Sequence, residues 1–343
     1  MRTALIVGVA GTKLSRDEAQ FLKDARPAGF ILFARNLKDH AQIRALIADV
    51  RGAVGADDLL VLIDQEGGRV QRLRPPLGRA LPPAAAYGQL YARDHAAAVM
   101  AAFEATRLLA ADLADLGINT DCAPVVDLPV EGAHDIIGDR AYGRRVDQIV
   151  ALAKAVGDGF MAGGIVPVIK HIPGHGRATA DSHLSLPVVT ETRAELTATD
   201  FAPFKALSHM PTAMTAHVVF RDIDADAPAS TSPIVTREII RGEIGFDGLL
   251  MSDDLTMKAL SGPMRARAES VIAAGSDLAL HCSGDLSEML QAAAGSGTLE
   301  GRSQQRFDTA VNITKATQPF DSAAAEAQLA KVLAIAAGSA ESV

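Results

Sequence analysis

Short apolar runs rich in β-branched residues recur along the chain, separated by stretches with helical periodicity. The runs occupy 3–9, 29–33, 59–63, 118–126, 165–169, 212–219, 248–252 and 277–281. Most are continuous rather than alternating, the pattern of parallel strands covered on both faces. The intervening stretches carry helix signals. Ser15 and Glu18 have capping-box spacing, as do Thr192 and Glu195. Ile43, Leu46, Ile47 and Val50 follow the i, i+3, i+4, i+7 stripe. Asp94 is placed to cap a long Ala-rich helix that ends at Gly117, and Ser232-Pro233 reads as an N-cap followed by proline at the first helical position.

Strand–helix alternation repeated eight times over about 290 residues predicts an α/β protein with a (β/α)8 TIM-type barrel. The alternative is an open doubly wound sheet. No Gly-x-Gly-x-x-Gly follows the first run, which weakens a dinucleotide-binding version. The stretch 321–343 is Ala-rich and is expected to form a helical tail. No linker marks a second domain, so residues 1–343 are expected to form one domain.

Composition narrows the partners. With 33 Lys+Arg against 41 Asp+Glu the net charge is −8, and no basic run offsets it. Nucleic acid and anionic membrane surfaces are therefore poor candidates. The chain has 11 Phe, 3 Tyr and no Trp, so a ligand cannot rest on a tryptophan platform. Cys122 and Cys282 make neither a disulfide framework nor a zinc spacing. Residues 4–10 have the length of a minimal signal-peptide core, but they read better as a buried first strand. No apolar run approaches the ~20 residues of a membrane span. A cytoplasmic monomer acting on a small molecule is expected.

In a barrel the active site lies at the C-terminal ends of the strands. Polar residues collect there: Arg35-Asn36, Asp64 to Arg69, Asp127, Lys170-His171, His217, Asp253-Asp254 and His281. The segments 67–94, 128–147 and 171–190 are long enough to be functional loops. Strand periodicity sets Leu249, Met251 and Asp253 on one side, so Asp253 points inward and Asp254 is expected to cap the next helix. A lone carboxylate there suits a nucleophile, a base, a metal ligand or an ion-pair partner. In Asp181-Ser182-His183 the Asp can orient the His and raise its basicity for proton transfer, though the same spacing fits a surface Asx-turn. Arg72 and Arg140 could each donate paired hydrogen bonds to a carboxylate or to sugar oxygens.

Together these segments carry a resemblance. Lys170-His171-Ile172-Pro173-Gly174-His175-Gly176, followed by Asp181-Ser182-His183 and Leu186-Pro187, resembles the signature of glycoside hydrolase family 3. Asp64 to Leu73, Ile137 to Gly143 and Ser252 to Met257 are similar to three further blocks of that family, in family order. The Asp-Ser-His loop in a chain of single-domain length resembles the bacterial β-N-acetylhexosaminidases that recycle peptidoglycan. The resemblance implies Asp253 as nucleophile, and His183 steered by Asp181 as general acid/base. It implies Asp64, Arg72, Arg140, Lys170 and His171 as the residues that bind N-acetylglucosamine, with no metal or cofactor. N-acetylglucosaminyl-β-1,4-anhydro-N-acetylmuramic acid, with or without peptide, is the substrate it implies. Ile172 stands where the family often has Phe, a departure that changes no reacting group.

Other chemistries fit parts of the pattern. His171, His175, Asp181 and His183 could make a zinc site. Lys170 could form a Schiff base. A glycan-binding protein without catalysis would not need Asp253. A phosphorylase would use a neutral His to admit phosphate where Glu would repel it.

Overall fold

A computed structural model describes residues 1–178 and 186–340. Eight strands close into a barrel: β1 Thr3–Val7, β2 Pro27–Leu32, β3 Leu60–Ile63, β4 Thr120–Asp121, β5 Val166–Ile172, β6 Thr212–Thr215, β7 Leu249–Asp254 and β8 Leu278–His281. Each pairs in parallel with its sequence neighbours, and β1 closes on β8 through Leu5–Ala279 and Val7–His281. This is the expected (β/α)8 barrel. The apolar run 4–7 near the N-terminus is its buried first strand.

Continuity of the runs follows from burial on both faces. Ile6, Leu60, Val168 and Met251 point into the barrel, while Leu5, Phe30, Val61 and Leu250 pack outward against helices. The strand N-terminal end is plugged. Thr3 pairs antiparallel with Thr298, and Leu299, Phe307 and Val311 join the interior cluster. Only the C-terminal end is left to open into a site.

Helix signals largely translate into structure. Ser15 and Glu18 form a reciprocal capping box on Arg16–Ala25, and Thr192 and Glu195 form another on Arg193–Ala198. Asp94 accepts from the Ala97 amide at the head of His95–Leu116, which ends at Gly117 with φ 85°. Ser232 Oγ accepts from the Val235 amide, and Val235–Glu243 continues as a π-helix. The helix Ser322–Ala340 packs on His95–Leu116.

Three expectations change. Strand four is not a single run over 118–126. Its ladder is interrupted after Asp121, where Pro124 has no amide to donate, and resumes as one bridge between Val125 and Lys170. Strand six does not reach Val219. The chain leaves the barrel after Thr215, and Val219–Phe220 pairs with Val188–Val189 in a separate two-stranded sheet. Asp254 caps no helix. Its Oδ1 accepts from the Thr256 and Cys282 amides, and the next helix starts at Met264 behind Pro263.

Candidate active site

The C-terminal strand ends surround a cavity of about 350 Å³. Asp64, Arg72, Arg140, Lys170, His171 and Asp253 all line it, so the structure brings six of the eight expected site residues together. Asp181 and His183 lie outside the described residues.

Two carboxylates and three cations make the basic side of the cavity. Lys170, on β5 and almost fully buried, donates to Asp64 Oδ1 at 3.0 Å and lies 2.7 Å from Glu66 Oε1. Arg72 donates to Asp64 Oδ2 at 2.9 Å. Arg140 grips Glu66 with both Nε and Nη2 at 2.8 Å, a bidentate fork that fixes its plane. Burial opposes ionisation of both carboxylates. The charge of Lys170, with Arg72 at Asp64 and Arg140 at Glu66, outweighs it and holds both below the usual carboxylate range. Burial likewise disfavours a charged Lys170, but Glu66 and Asp64 reverse this and raise its pKa above the ordinary lysine value. An ammonium held so firmly is a poor Schiff-base nucleophile, which must be neutral to attack.

A tight hairpin, Gln65–Gly67 with Val70–Gln71, brings Arg72 back to Asp64. Gly67 has φ 104°, and a Cβ there would sit 2.3 Å from the Pro82 carbonyl oxygen. The buried Gln65 pins the return. Its Oε1 accepts from the Arg72 and Leu73 amides, each at 2.9 Å.

Beneath this network Asp121 ends β4. Its Oδ1 accepts from the Gln65 amide at 3.0 Å, and its Oδ2 has no partner among the described residues. Burial pushes its carboxyl up to about 8, against the pull of the Gln65 amide and Lys170. Between pH ~4 and that value the folded state keeps a proton that the unfolded chain releases. This group therefore lowers stability as pH rises through the window, by at most about 1.4 kcal/mol per pH unit. Asp121→Asn, a neutral isostere, is expected to gain stability over the wild type at pH 7.5 and much less at pH 4.5. Denaturant melts at the two pH values measure this, and an equal difference at both would contradict the raised carboxyl.

Asp127 organises the opposite wall. Its Oδ1 accepts the amides of His171 and His175 at 3.2 and 2.7 Å, and its Oδ2 takes His171 Nδ1 at 2.7 Å. Burial again opposes the charge, but His171 and His175 hold Asp127 below the usual range. An ionised partner at Nδ1 leaves His171 Nε2 as the nitrogen available to the cavity. Burial and neighbouring His171 push His175 down to about 4, so it is neutral at pH 7.

Asp253 lies on β7 with its carboxylate partly open to the cavity. Its Oδ1 accepts from the Asp254 amide at 2.8 Å. No hydrogen bond among the described residues reaches Oδ2. Burial works against its charge, but the His217 and His171 imidazoles and the Asp254 amide hold its carboxyl below the usual range. The site thus presents an ionised carboxylate with one oxygen held and the other free.

Phe33 is the one Phe or Tyr lining the cavity among the described residues. Arg35 and Arg72 lie over its ring, 4.8 and 5.2 Å from the centroid. Its π-system already serves two cations. Directed hydrogen bonds from charged groups, rather than stacking, are left to hold a ligand. Among the described residues no group of three His, Cys, Asp or Glu is arranged to bind a metal ion.

Sequence reasoning did not assign Glu66, Gln65, Asp127 or His217 to the site. For Glu66 a signal was present: two residues after Asp64, it shares a side with it by strand periodicity. Asp127 and His217 stood out only as polar strand ends.

Known proteins share this fold. Residues 3–314 match the family described as Glycosyl hydrolase family 3 N terminal domain. A Beta-hexosaminidase of Bordetella avium is 40% identical over 282 residues, covering 81% of this chain and 80% of that protein. The crystal structure of NagZ from Neisseria gonorrhoeae in complex with N-trifluoroacetyl-D-glucosamine matches with a TM-score of 0.84 at 33% identity, over 98% of both chains. A family 3 beta-N-acetylglucosaminidase from Paenibacillus sp. str. FPU-7 matches with a TM-score of 0.85 at 28% identity; 96% of this chain is covered, and it spans 66% of that longer one. A parallel barrel with charged groups gathered at its one open end, and a family match running through nearly all of it, have one reading: the chain is a glycosidase and belongs to glycosyl hydrolase family 3, among its β-hexosaminidases.

Proposed function

We propose that the protein is a retaining exo-β-N-acetylglucosaminidase that removes terminal N-acetylglucosamine from small peptidoglycan fragments during cell-wall recycling. The observation that carries this reading is Asp253: an ionised carboxylate on β7, one oxygen held by the Asp254 amide, facing the Asp64–Arg72–Lys170 network across a small cavity. Two features support an exo mode on a soluble fragment. The cavity, at about 350 Å³, is at the low end of ligand pockets. Among the described residues it also has no free Phe or Tyr face on which successive sugars of a polymer could stack. The substrate is N-acetylglucosaminyl-anhydro-N-acetylmuramic acid with or without peptide, and the working form is a cytoplasmic monomer.

In the first step Asp253 Oδ2 attacks the anomeric carbon while protonated His183 gives its proton to the departing glycosidic oxygen. The glycosyl ester that forms on Asp253 keeps the bond electrons of the leaving group balanced by that proton. In the second step neutral His183 takes a proton from water, whose oxygen attacks the anomeric carbon and releases Asp253. A retaining glycosidase ordinarily uses a second carboxyl for this proton traffic. A neutral imidazole avoids a second anion next to the ester. Asp64 offers sugar hydroxyls the lone pairs that Lys170 and Arg72 leave unused.

The role of His183 is tested by leaving group. His183→Ala is expected to cut kcat/KM by about 10³-fold on the disaccharide fragment, whose alkoxide needs a proton. On a 4-nitrophenyl glycoside, which leaves unaided, the loss in kcat/KM is expected to be less than about 10-fold. Equal losses on both substrates would remove His183 from the acid role.

A further inference from the structure

His217 follows β6 and is completely buried. Its Nε2 lies 3.0 Å from the backbone carbonyl oxygen of Asp254, and its Nδ1 lies 2.7 Å from Ser230 Oγ. A carbonyl oxygen can only accept, so Nε2 carries the hydrogen. In the neutral ring Nδ1 is then the acceptor and takes its hydrogen bond from the Ser230 hydroxyl, which gives the Nε2–H tautomer. Burial agrees, holding the imidazole below its ordinary pKa.

What His217 holds is the residue that holds the nucleophile. The Asp254 amide donates to Asp253 Oδ1. The Asp254 side chain accepts from the Cys282 amide beyond β8, at 3.1 Å. Its carbonyl accepts from the Met257 amide at 3.2 Å and, at 3.0 Å, from His217, which reaches it from the β6 side. Asp254 is thus fixed from two neighbouring strands, and its amide aims at one oxygen of Asp253. Losing the His217 bond would leave the carbonyl only the longer Met257 amide bond and loosen the hold on the residue. The amide would then drift from Asp253 Oδ1.

We propose that His217, held with Nε2 protonated by the Asp254 carbonyl and seated by Ser230, is a positioning residue that fixes the Asp253 carboxylate for in-line attack by anchoring the backbone of Asp254. The inference rests on Asp253 being the nucleophile of the proposed reaction. His217 exchanges no proton with substrate; its ring nitrogens are both committed to the protein. The pair places a specific demand on position 217: a hydrogen-bond donor where Nε2 stands.

Gln and Asn separate this demand from simple bulk. The Gln Nε2 amide can occupy the place of the imidazole Nε2, whereas the shorter Asn amide reaches only the place of Nδ1. His217→Gln is expected to keep kcat within about 10-fold of wild type, and His217→Asn to lose about 10²-fold, with KM moving less than about threefold in both. Ser230→Ala removes the partner that seats the ring and is expected to lower kcat about 10-fold. The ¹⁵N resonances of His217 at pH 7 should show a protonated Nε2 and a bare Nδ1, in the wild type and in Ser230→Ala alike. Equal kcat in the Gln and Asn variants, or an Nδ1–H or doubly protonated His217, would overturn the proposal. If His217→Asn does not fold, the Ser230→Ala rate and the wild-type tautomer decide the matter alone. Turnover retained by Asp253→Asn would instead strike at the nucleophile assignment, which this comparison leaves separate.

Discussion

Asp253→Asn is expected to lower kcat by at least about 10⁴-fold, equivalent to about 5.5 kcal/mol of transition-state stabilisation, while N-acetylglucosamine binds within a few-fold of wild type. The amide is isosteric with the carboxylate and can still accept from the Asp254 amide through its oxygen. It cannot form the glycosyl ester, and it brings no negative charge to the developing cation at the anomeric carbon. Binding should survive because the groups assigned to the sugar, Asp64, Arg72, Lys170 and His171, form networks of their own. Turnover with the disaccharide and calorimetric titration with the monosaccharide check the two halves separately. A variant retaining a tenth of wild-type kcat would end Asp253's role as nucleophile.

Lys170→Met is expected to damage stability and activity together. Lys170 is the cation shared by Asp64 and Glu66, at 3.0 and 2.7 Å, and its side chain is 3% exposed. Methionine keeps the volume and removes the charge, leaving two buried carboxylates with one arginine each. Breaking a buried ion pair from one side typically costs about 3–5 kcal/mol. The sign with pH follows from the carboxylates. Both have depressed pKa values, so the stability they contribute is present above the unfolded-state value near 4 and is lost as pH falls through the folded-state values. The penalty in Lys170→Met should therefore be largest at neutral pH and shrink below pH ~4, where the carboxyls take up protons and no longer need the cation. Denaturant melts at pH 7 and pH 3.5 measure the difference. A fall in kcat/KM of about 10²-fold or more accompanies it, because Asp64 and Glu66 lose their shared anchor. A variant as stable as wild type at pH 7 would mean that the two arginines suffice.

The barrel was legible because its strands are covered on both faces and so read as unbroken apolar runs. The two misjudged strands show where that logic ends. Pro124 is apolar and continues the run on paper, yet it cannot donate to a ladder. Val218 is apolar because it joins the packing layer outside the barrel, and Val219 because it pairs with Val188 in a separate sheet. Asp254 had the spacing of a cap but serves two amides, one of them 28 residues away. Contacts of that kind leave no local pattern. Lys170 meets Asp64 across 106 residues and Arg140 meets Glu66 across 74, so the charge network became visible only in three dimensions. The motif blocks, by contrast, identified Asp64, Arg72, Arg140, Lys170, His171 and Asp253, and these do converge on one cavity. The absence of Trp gains meaning there as well: the one Phe that lines the cavity among the described residues is already committed to Arg35 and Arg72.

Covalent trapping tests the central claim most directly. A 2-fluoro or similarly slow N-acetylglucosaminyl donor should label the wild type once. After proteolysis the added mass should sit on the peptide containing Asp253, and Asp253→Asn should stay unlabelled. A label on any other residue, or turnover of the donor without a trapped ester at any time point, would contradict the mechanism.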